Sequence, residues 1–137
     1  MSFAEASKQA SKQASKQASK LLIVDDEKDM VWLFSNIFKE NGYEVFGCHD
    51  GSNALKWVRK IKPGVVLLDY NLPDMNGLQL LKKLHLVGRD HIKGIIMASG
   101  TSDPEVKKKA IKSGAFGYLS KPVDLERLLK MVKEAFG

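Results

Sequence analysis

Val65-Val66-Leu67-Leu68-Asp69-Tyr70-Asn71-Leu72-Pro73-Asp74-Met75-Asn76-Gly77 is the stretch on which the fold turns. Its first four residues are apolar and two of them are β-branched, which predicts a strand buried on both faces. Asp69 stands where that strand meets solvent. Pro73, Asp74, Asn76 and Gly77 crowd the following positions with turn formers, so Asp69 opens a loop instead of lying inside the strand. A single acid at a strand end is ordinarily a polar terminus. Asp69 is set apart by what other segments place beside it.

Upstream, Leu21-Leu22-Ile23-Val24 reads as a short buried strand ending directly in Asp25-Asp26-Glu27. From Lys28 to Asn41 the apolar residues Met30, Val31, Phe34, Ile37 and Phe38 recur at helical spacing, and Gly42 supplies a stop. Tyr43 to Cys48 is a less regular strand. Asp50-Gly51-Ser52 then turns into a helix carrying Ala54, Leu55, Val58 and Ile61, ended by Pro63-Gly64. Downstream, Leu78, Leu81 and Leu84 mark a helix capped by Asn76 and stopped by Gly88. Ile92 to Met97 predicts a fourth strand with Ala98-Ser99-Gly100-Thr101 as its exit. Ser102 and Glu105 have capping-box spacing, Pro104 fits a first turn, and Ser113-Gly114 closes that helix. Phe116 to Leu119 predicts a fifth strand leading to Ser120-Lys121-Pro122. A last helix begins at Asp124 with Leu125, Leu128, Leu129, Val132 and Phe136 on one side.

Strand and helix alternate five times, which predicts an α/β fold: a parallel sheet with helices on both faces and right-handed crossovers. In such sheets ligands bind beyond the carboxyl ends of the strands. Asp25, Asp26 and Glu27, Asp69, Ser99 and Lys121 should therefore gather at one edge.

Composition narrows the class. The 137 residues are 44% hydrophobic, enough for one domain with a core and too few for two. A single cysteine, Cys48, excludes an internal disulfide and a thiolate pair for zinc, and fits a reducing, cytoplasmic setting. No apolar run approaches the ~18 residues of a membrane span, and no secretory signal peptide is visible. The net charge of +6 is divided: residues 1–20, with four lysines and one acid, hold half of it. The rest is only mildly basic, and Lys107-Lys108-Lys109 spreads around a helix as a solvated face, so no direct nucleic-acid partner is expected. Residues 1–19, with an Ala-Ser-Lys-Gln repeat over 6–19, contain no stripe that could dock on a core and read as a low-complexity tail added to a domain at 20–137, the second reading being a basic arm for an acidic partner.

The edge has a definite chemistry. Asp26 and Asp69 within ~4 Å of one another would repel by roughly 4 kcal/mol at an effective dielectric near 20, so positive charge must offset them. Mg²⁺ takes carboxylate and carbonyl oxygens and often shares its site with a phosphate. Lys121 and Ser99 are what a phosphoryl group would need on its other flank. The set suits phosphoryl transfer onto Asp69 as nucleophile. Trp32 and Trp57 read as helix packing, and His49, His85 and His91 form no metal-ligand spacing.

The chain from about Lys20 to Phe136 resembles the receiver (CheY-like) domains of two-component response regulators. The likeness rests on Leu21 to Glu27, on Val66 to Gly77, on Met97-Ala98-Ser99-Gly100 and on Tyr118-Leu119-Ser120-Lys121-Pro122. Singly these are weak; in this order and spacing they are specific. The resemblance implies a flavodoxin-like doubly wound sheet in the order 2-1-3-4-5. It implies that Asp69 accepts a phosphoryl group from a histidine kinase phosphohistidine or a small donor. Mg²⁺ would be held by Asp26, Asp69 and the backbone carbonyl of Asn71, with Asp25 acting mostly through metal-bound water. Lys121 would pair with the phosphoryl oxygens, and Lys121-Pro122 would be a cis peptide. Ser99 would swing to the phosphoryl group while Tyr118 turns inward, changing the surface of the fourth helix, fifth strand and fifth helix. Such a domain is no enzyme beyond its own phosphorylation and dephosphorylation. Serine at 99, where threonine is frequent, keeps the hydroxyl without the methyl group. Gly100 leaves the acyl phosphate accessible, and Asn71 and Thr101 flank the same opening.

Implied partners are a sensor histidine kinase or histidine phosphotransfer protein, and a downstream effector protein or an output domain fused elsewhere; a phosphorylation-dependent homodimer stays open. The expectation is either a stand-alone receiver or one cut from a longer regulator. Three rivals remain in view. A haloacid-dehalogenase-type phosphatase wants a second aspartate where Asn71 stands. A flavodoxin-like carrier wants a Ser/Thr-rich loop where Asp25-Asp26-Glu27 would repel a phosphate. A pseudo-receiver would bind partners without phosphorylation, and has no use for the intact acids, Ser99 and Lys121.

Overall fold

The computed structural model describes residues 19–137, so the repeat tail lies outside them apart from Ser19. Five strands, β1 (Lys20–Val24), β2 (Glu44–Cys48), β3 (Val65–Asp69), β4 (Gly94–Ser99) and β5 (Gly117–Ser120), form one parallel sheet in the order β2-β1-β3-β4-β5. Between and after them run α1 (Lys28–Glu40), α2 (Gly51–Ile61), α3 (Gly77–Val87), α4 (Pro104–Lys112) and α5 (Leu125–Phe136). The expected doubly wound α/β architecture and strand order are both present.

The continuous apolar runs conceal a period of two. Leu22, Val24, Val66, Leu68, Ile95 and Met97 face the core beneath α2, α3 and α4. Leu21, Ile23, Val65, Leu67, Ile96 and Ala98 face the core beneath α1 and α5. A sheet with both faces covered needs apolar residues at every position, which is why these strands do not alternate with polar ones. Fully buried leucines such as Leu22 and Leu68 contribute roughly 2 kcal/mol each. Because all five strands run the same way, their carboxyl ends share one edge.

Four local expectations are corrected. β4 starts at Gly94, not Ile92, and runs through Ser99: Ile92 is taken up by the turn after α3, its N–H donating to the Gly88 carbonyl at 2.8 Å. Ser99 is thus a strand residue paired with Ser120. α4 is capped by Asp103, not Ser102, its carboxylate accepting from Glu105 N at 2.9 Å. The reciprocal capping box falls instead on Asn76 and Gln79 of α3. Finally, Trp57 packs on Phe46 with ring centroids 5.9 Å apart, but Trp32 is 70% exposed. Val31, Phe34 and Phe38 occupy the buried stripe of α1 and leave Trp32 pointing away from it. Among the described residues no helix is long and apolar enough to cross a membrane.

Candidate functional site

Asp69 is the last residue of β3 and only 5% exposed. The loop that follows folds back tightly: Asn71 bridges Asn76, and Gly77 N–H donates to the Tyr70 carbonyl at 2.6 Å. Gly77 makes this possible, because a Cβ there would lie 2.8 Å from the Asp69 carbonyl oxygen and 2.8 Å from Tyr70 Cα. Asp25, also buried, follows β1 directly, and Asp26 stands beside it in solvent. One carboxylate oxygen from each of Asp25, Asp26 and Asp69 lies within 4.8 Å of the other two.

Lys121, entering after β5 through a cis Lys121-Pro122 bond, is the cation at this edge. Its Nζ is 3.0 Å from Asp25 Oδ2, 3.4 Å from Asp69 Oδ1 and 3.9 Å from Glu27 Oε1. One ammonium therefore serves three acids, with Asp26 adding a fourth negative charge to the cluster. Burial raises the Asp69 carboxyl above its ordinary pKa and the Asp25 charge pushes the same way; Lys121 offsets only part of this. Burial works against the Lys121 charge, yet the hydrogen bond and charge of Asp25, with Asp69 and Glu27, hold its pKa above the usual value. Oxygen-only donors with excess negative charge, and no histidine or thiolate among them, fit a hard divalent cation better than zinc.

Ser99 is completely buried at the end of β4, beside β3 through the Asp69 to Ala98 pairing. Its Oγ accepts the Thr101 N–H at 3.1 Å. Two further bonds of the same kind follow: Asp103 N–H to Thr101 Oγ1 at 3.2 Å, then Glu105 N–H to Asp103 Oδ1 at 2.9 Å. A short relay thus runs from Ser99 to the first turn of α4. Tyr118 is already buried, in the core beneath α2 to α4. Asn71 is exposed two residues beyond Asp69.

Two residues were not singled out from sequence. Asp74 was only a turn former; its carboxylate accepts from Gly51 N (2.8 Å), Ser52 N (2.9 Å) and Ser52 Oγ (2.8 Å), clamping the β3–α3 loop to the start of α2. His49 places Nδ1 3.0 Å from the Asp25 carbonyl oxygen. Neither contact has a local signal, since the partners are more than 20 residues away in the chain.

A 2-1-3-4-5 parallel sheet with an acid triad, a lysine and a buried hydroxyl at its carboxyl edge defines a receiver-type α/β domain. The chain belongs to the response regulator receiver domain family, whose model matches residues 21–133. It is 35% identical over 116 residues to sporulation initiation phosphotransferase F of Bacillus subtilis (strain 168), covering 84% of this chain and 91% of that one. It is 33% identical over 116 residues to regulatory protein AtoC of Escherichia coli (strain K12), covering 85% of this chain but 25% of that one. The solved response regulator receiver domain protein (CheY-like) from Methanospirillum hungatei JF-1 superposes with a TM-score of 0.80 at 31% identity, over 86% of this chain and 93% of that one. Membership in this family removes the dehalogenase and flavodoxin-like carrier readings.

Proposed function

We propose that the protein is a Mg²⁺-dependent phosphoacceptor in a two-component phosphorelay, phosphorylated on Asp69. The observation that carries this is the Asp69 carboxylate itself, buried 3.4 Å from the Lys121 ammonium and within 4.8 Å of two further carboxylates. An Asp69 oxygen attacks the phosphorus of the donor and the new O–P bond forms as the donor's bond to phosphorus breaks: the P–N bond of a phosphohistidine, whose departing imidazole takes up a proton, or the P–O bond of acetyl phosphate, which leaves as acetate. Asp26, Asp69 and the Asn71 carbonyl, with Asp25 mostly through metal-bound water, would hold Mg²⁺, which would supply positive charge against the phosphoryl oxygens. Lys121 moves from Asp25 to those oxygens, and Ser99 donates its hydroxyl proton to them. The domain catalyses no reaction beyond its own phosphorylation and dephosphorylation.

Reorientation of Ser99 breaks the first bond of the relay to α4. That helix is lightly anchored, with Val106 and Ala110 its only buried residues of nine. A modest energy from new charge-assisted bonds therefore shifts α4, β5 and α5 between two packings, with Tyr118 held inward in one of them. This surface is the output, presented to an effector protein, a fused domain or a second copy.

A groove of about 500 Å³ beside the site receives the phosphodonor. It is lined by Met30, Leu33 and Phe34 of α1 and by Pro122, Val123 and Leu125 after β5, and it runs into the site through Glu27 and Lys121. A histidine kinase or histidine phosphotransfer protein seated there would bring its phosphohistidine to Asp69. A cytoplasmic setting fits such a donor.

The test is intact mass after incubation with acetyl phosphate and Mg²⁺, beside Asp69→Asn and EDTA controls. Gain of one phosphoryl group by the wild type alone, abolished by EDTA, is expected. No gain by the folded protein leaves a phosphorylation-independent binding module.

A further inference from the structure

Asp25 is held at every polar atom. Its N–H donates to the Cys48 carbonyl at 3.1 Å, Oδ1 accepts from Glu27 N at 2.9 Å, and Oδ2 accepts from Lys121 Nζ at 3.0 Å. The fourth atom, its carbonyl oxygen, is met by His49 Nδ1 at 3.0 Å. A carbonyl only accepts, so Nδ1 carries the proton in this contact.

The register explains why a side chain is needed. β1 and β2 pair in parallel with Val24 opposite Cys48. Continuing the ladder would require the Asp50 amide to donate to the Asp25 carbonyl. Asp50 instead leaves the strand to cap α2, its carboxylate accepting from Asn53 N at 2.7 Å. The half-buried His49 imidazole fills the place of the missing ladder donor, one residue beyond the end of the sheet.

The position matters because Asp25, Glu27 and Asp69 share one ammonium, and Asp26 brings a further negative charge within 4.8 Å of Asp25 and Asp69. Their repulsion pushes the turn after β1 away from β3 until a cation arrives. A donor fixed to the Asp25 main chain opposes that movement and prepares the cluster before the ion binds. We infer that His49 is a positioning residue for the ion site, holding the Asp25 backbone so that the Asp25 and Asp26 carboxylates converge on Asp69. This rests on the reading of those three acids as ion ligands. A mere loop staple would change stability without the ion and leave ion affinity alone.

The experiment is a Mg²⁺ titration of the full chain, read as the shift in melting temperature, for wild type, His49→Leu and His49→Asn. Leucine keeps the bulk without a donor, and asparagine can place an amide nitrogen near the Nδ1 position. The ion concentration giving half the maximal shift should rise about tenfold in His49→Leu, the scale typical of residues that orient ligands. It should return most of the way to wild type in His49→Asn. If leucine prevents folding, His49→Ala serves as the donorless variant. A donorless variant titrating like wild type, or asparagine titrating no better than that variant, overturns the role. A wild type whose melting does not respond to Mg²⁺ overturns the ion-site reading, and this inference with it.

Discussion

Lys121 Nζ sits closer to Asp25, at 3.0 Å, than to Asp69, at 3.4 Å. The ammonium hydrogen-bonds to Asp25, and its pull on Asp69 offsets only part of the burial and the Asp25 charge that raise the Asp69 pKa. A carboxyl whose folded pKa lies above its unfolded value binds more protons when folded. Its ionisation therefore costs stability as pH rises above the unfolded value, and the cost is complete once pH exceeds the folded value. Asp69→Asn should accordingly stabilise the Mg²⁺-free protein at pH 7, by roughly 1 to 2 kcal/mol for one close like-charge contact relieved at an effective dielectric near 20 or above. The gain should shrink towards acid pH and on adding Mg²⁺. Urea unfolding in EDTA at two pH values checks it; a less stable Asn variant at pH 7 would contradict the electrostatic account.

Asp74 shows the opposite sign. Its pKa is lowered, chiefly by the Gly51 N–H; burial opposes this, and the Ser52 hydroxyl and N–H add to the lowering. The stability it contributes is present above the unfolded carboxyl value near 3.8 and is lost as pH falls through the still lower folded value. Asp74→Ala should cost about 1 kcal/mol at pH 7, the size of a lost helix-terminus acceptor, since Asp50 still caps α2. Hydrogen exchange at Gly51 and Ser52 should quicken first. Unchanged exchange there would show the clamp to be energetically idle.

The acids, Ser99 and Lys121 were legible because each ends a strand or stands just beyond it, and parallel strands put such ends together. Element type was legible from periodicity, while the strand order came from family likeness. Pairings across the chain were not: nothing in Lys121 says that it prefers Asp25 to Asp69, or in Asp74 that it reaches α2. The choice of Asp103 over Ser102 as a cap was also closed to sequence. Both side chains can accept the bond, and the backbone path out of β4 decides between them. Trp32 was misjudged because a large aromatic on an amphipathic helix usually packs. Here Val31, Phe34 and Phe38 fill the stripe without it.

Gly77 carries a steric prediction. The atoms a Cβ would meet at 2.8 Å include the Asp69 carbonyl oxygen and Tyr70 Cα, which are backbone and cannot rotate aside. Gly77→Ala should destabilise by about 1 to 3 kcal/mol through overpacking and push the loop after Asp69 outward. Phosphorylation by acetyl phosphate should slow even where the variant is folded. A variant with normal stability and rate would show that the loop has room to relax.

Trp32 separates docking from chemistry. It is 70% exposed on α1, next to Leu33 at the rim of the groove that leads to Lys121. An exposed tryptophan contributes little to folding, so Trp32→Ala should alter stability by no more than about 0.5 kcal/mol. Acetyl phosphate needs no docking surface, and its reaction rate with this variant should match wild type. Transfer from a phosphorylated histidine kinase depends on the interface, where buried tryptophans commonly contribute 2 kcal/mol or more, so it should fall by roughly thirtyfold through a weaker complex. Parallel time courses with the two donors decide the matter. Equal loss with both would place Trp32 in the chemistry, and no loss with either would move the donor's seat off α1.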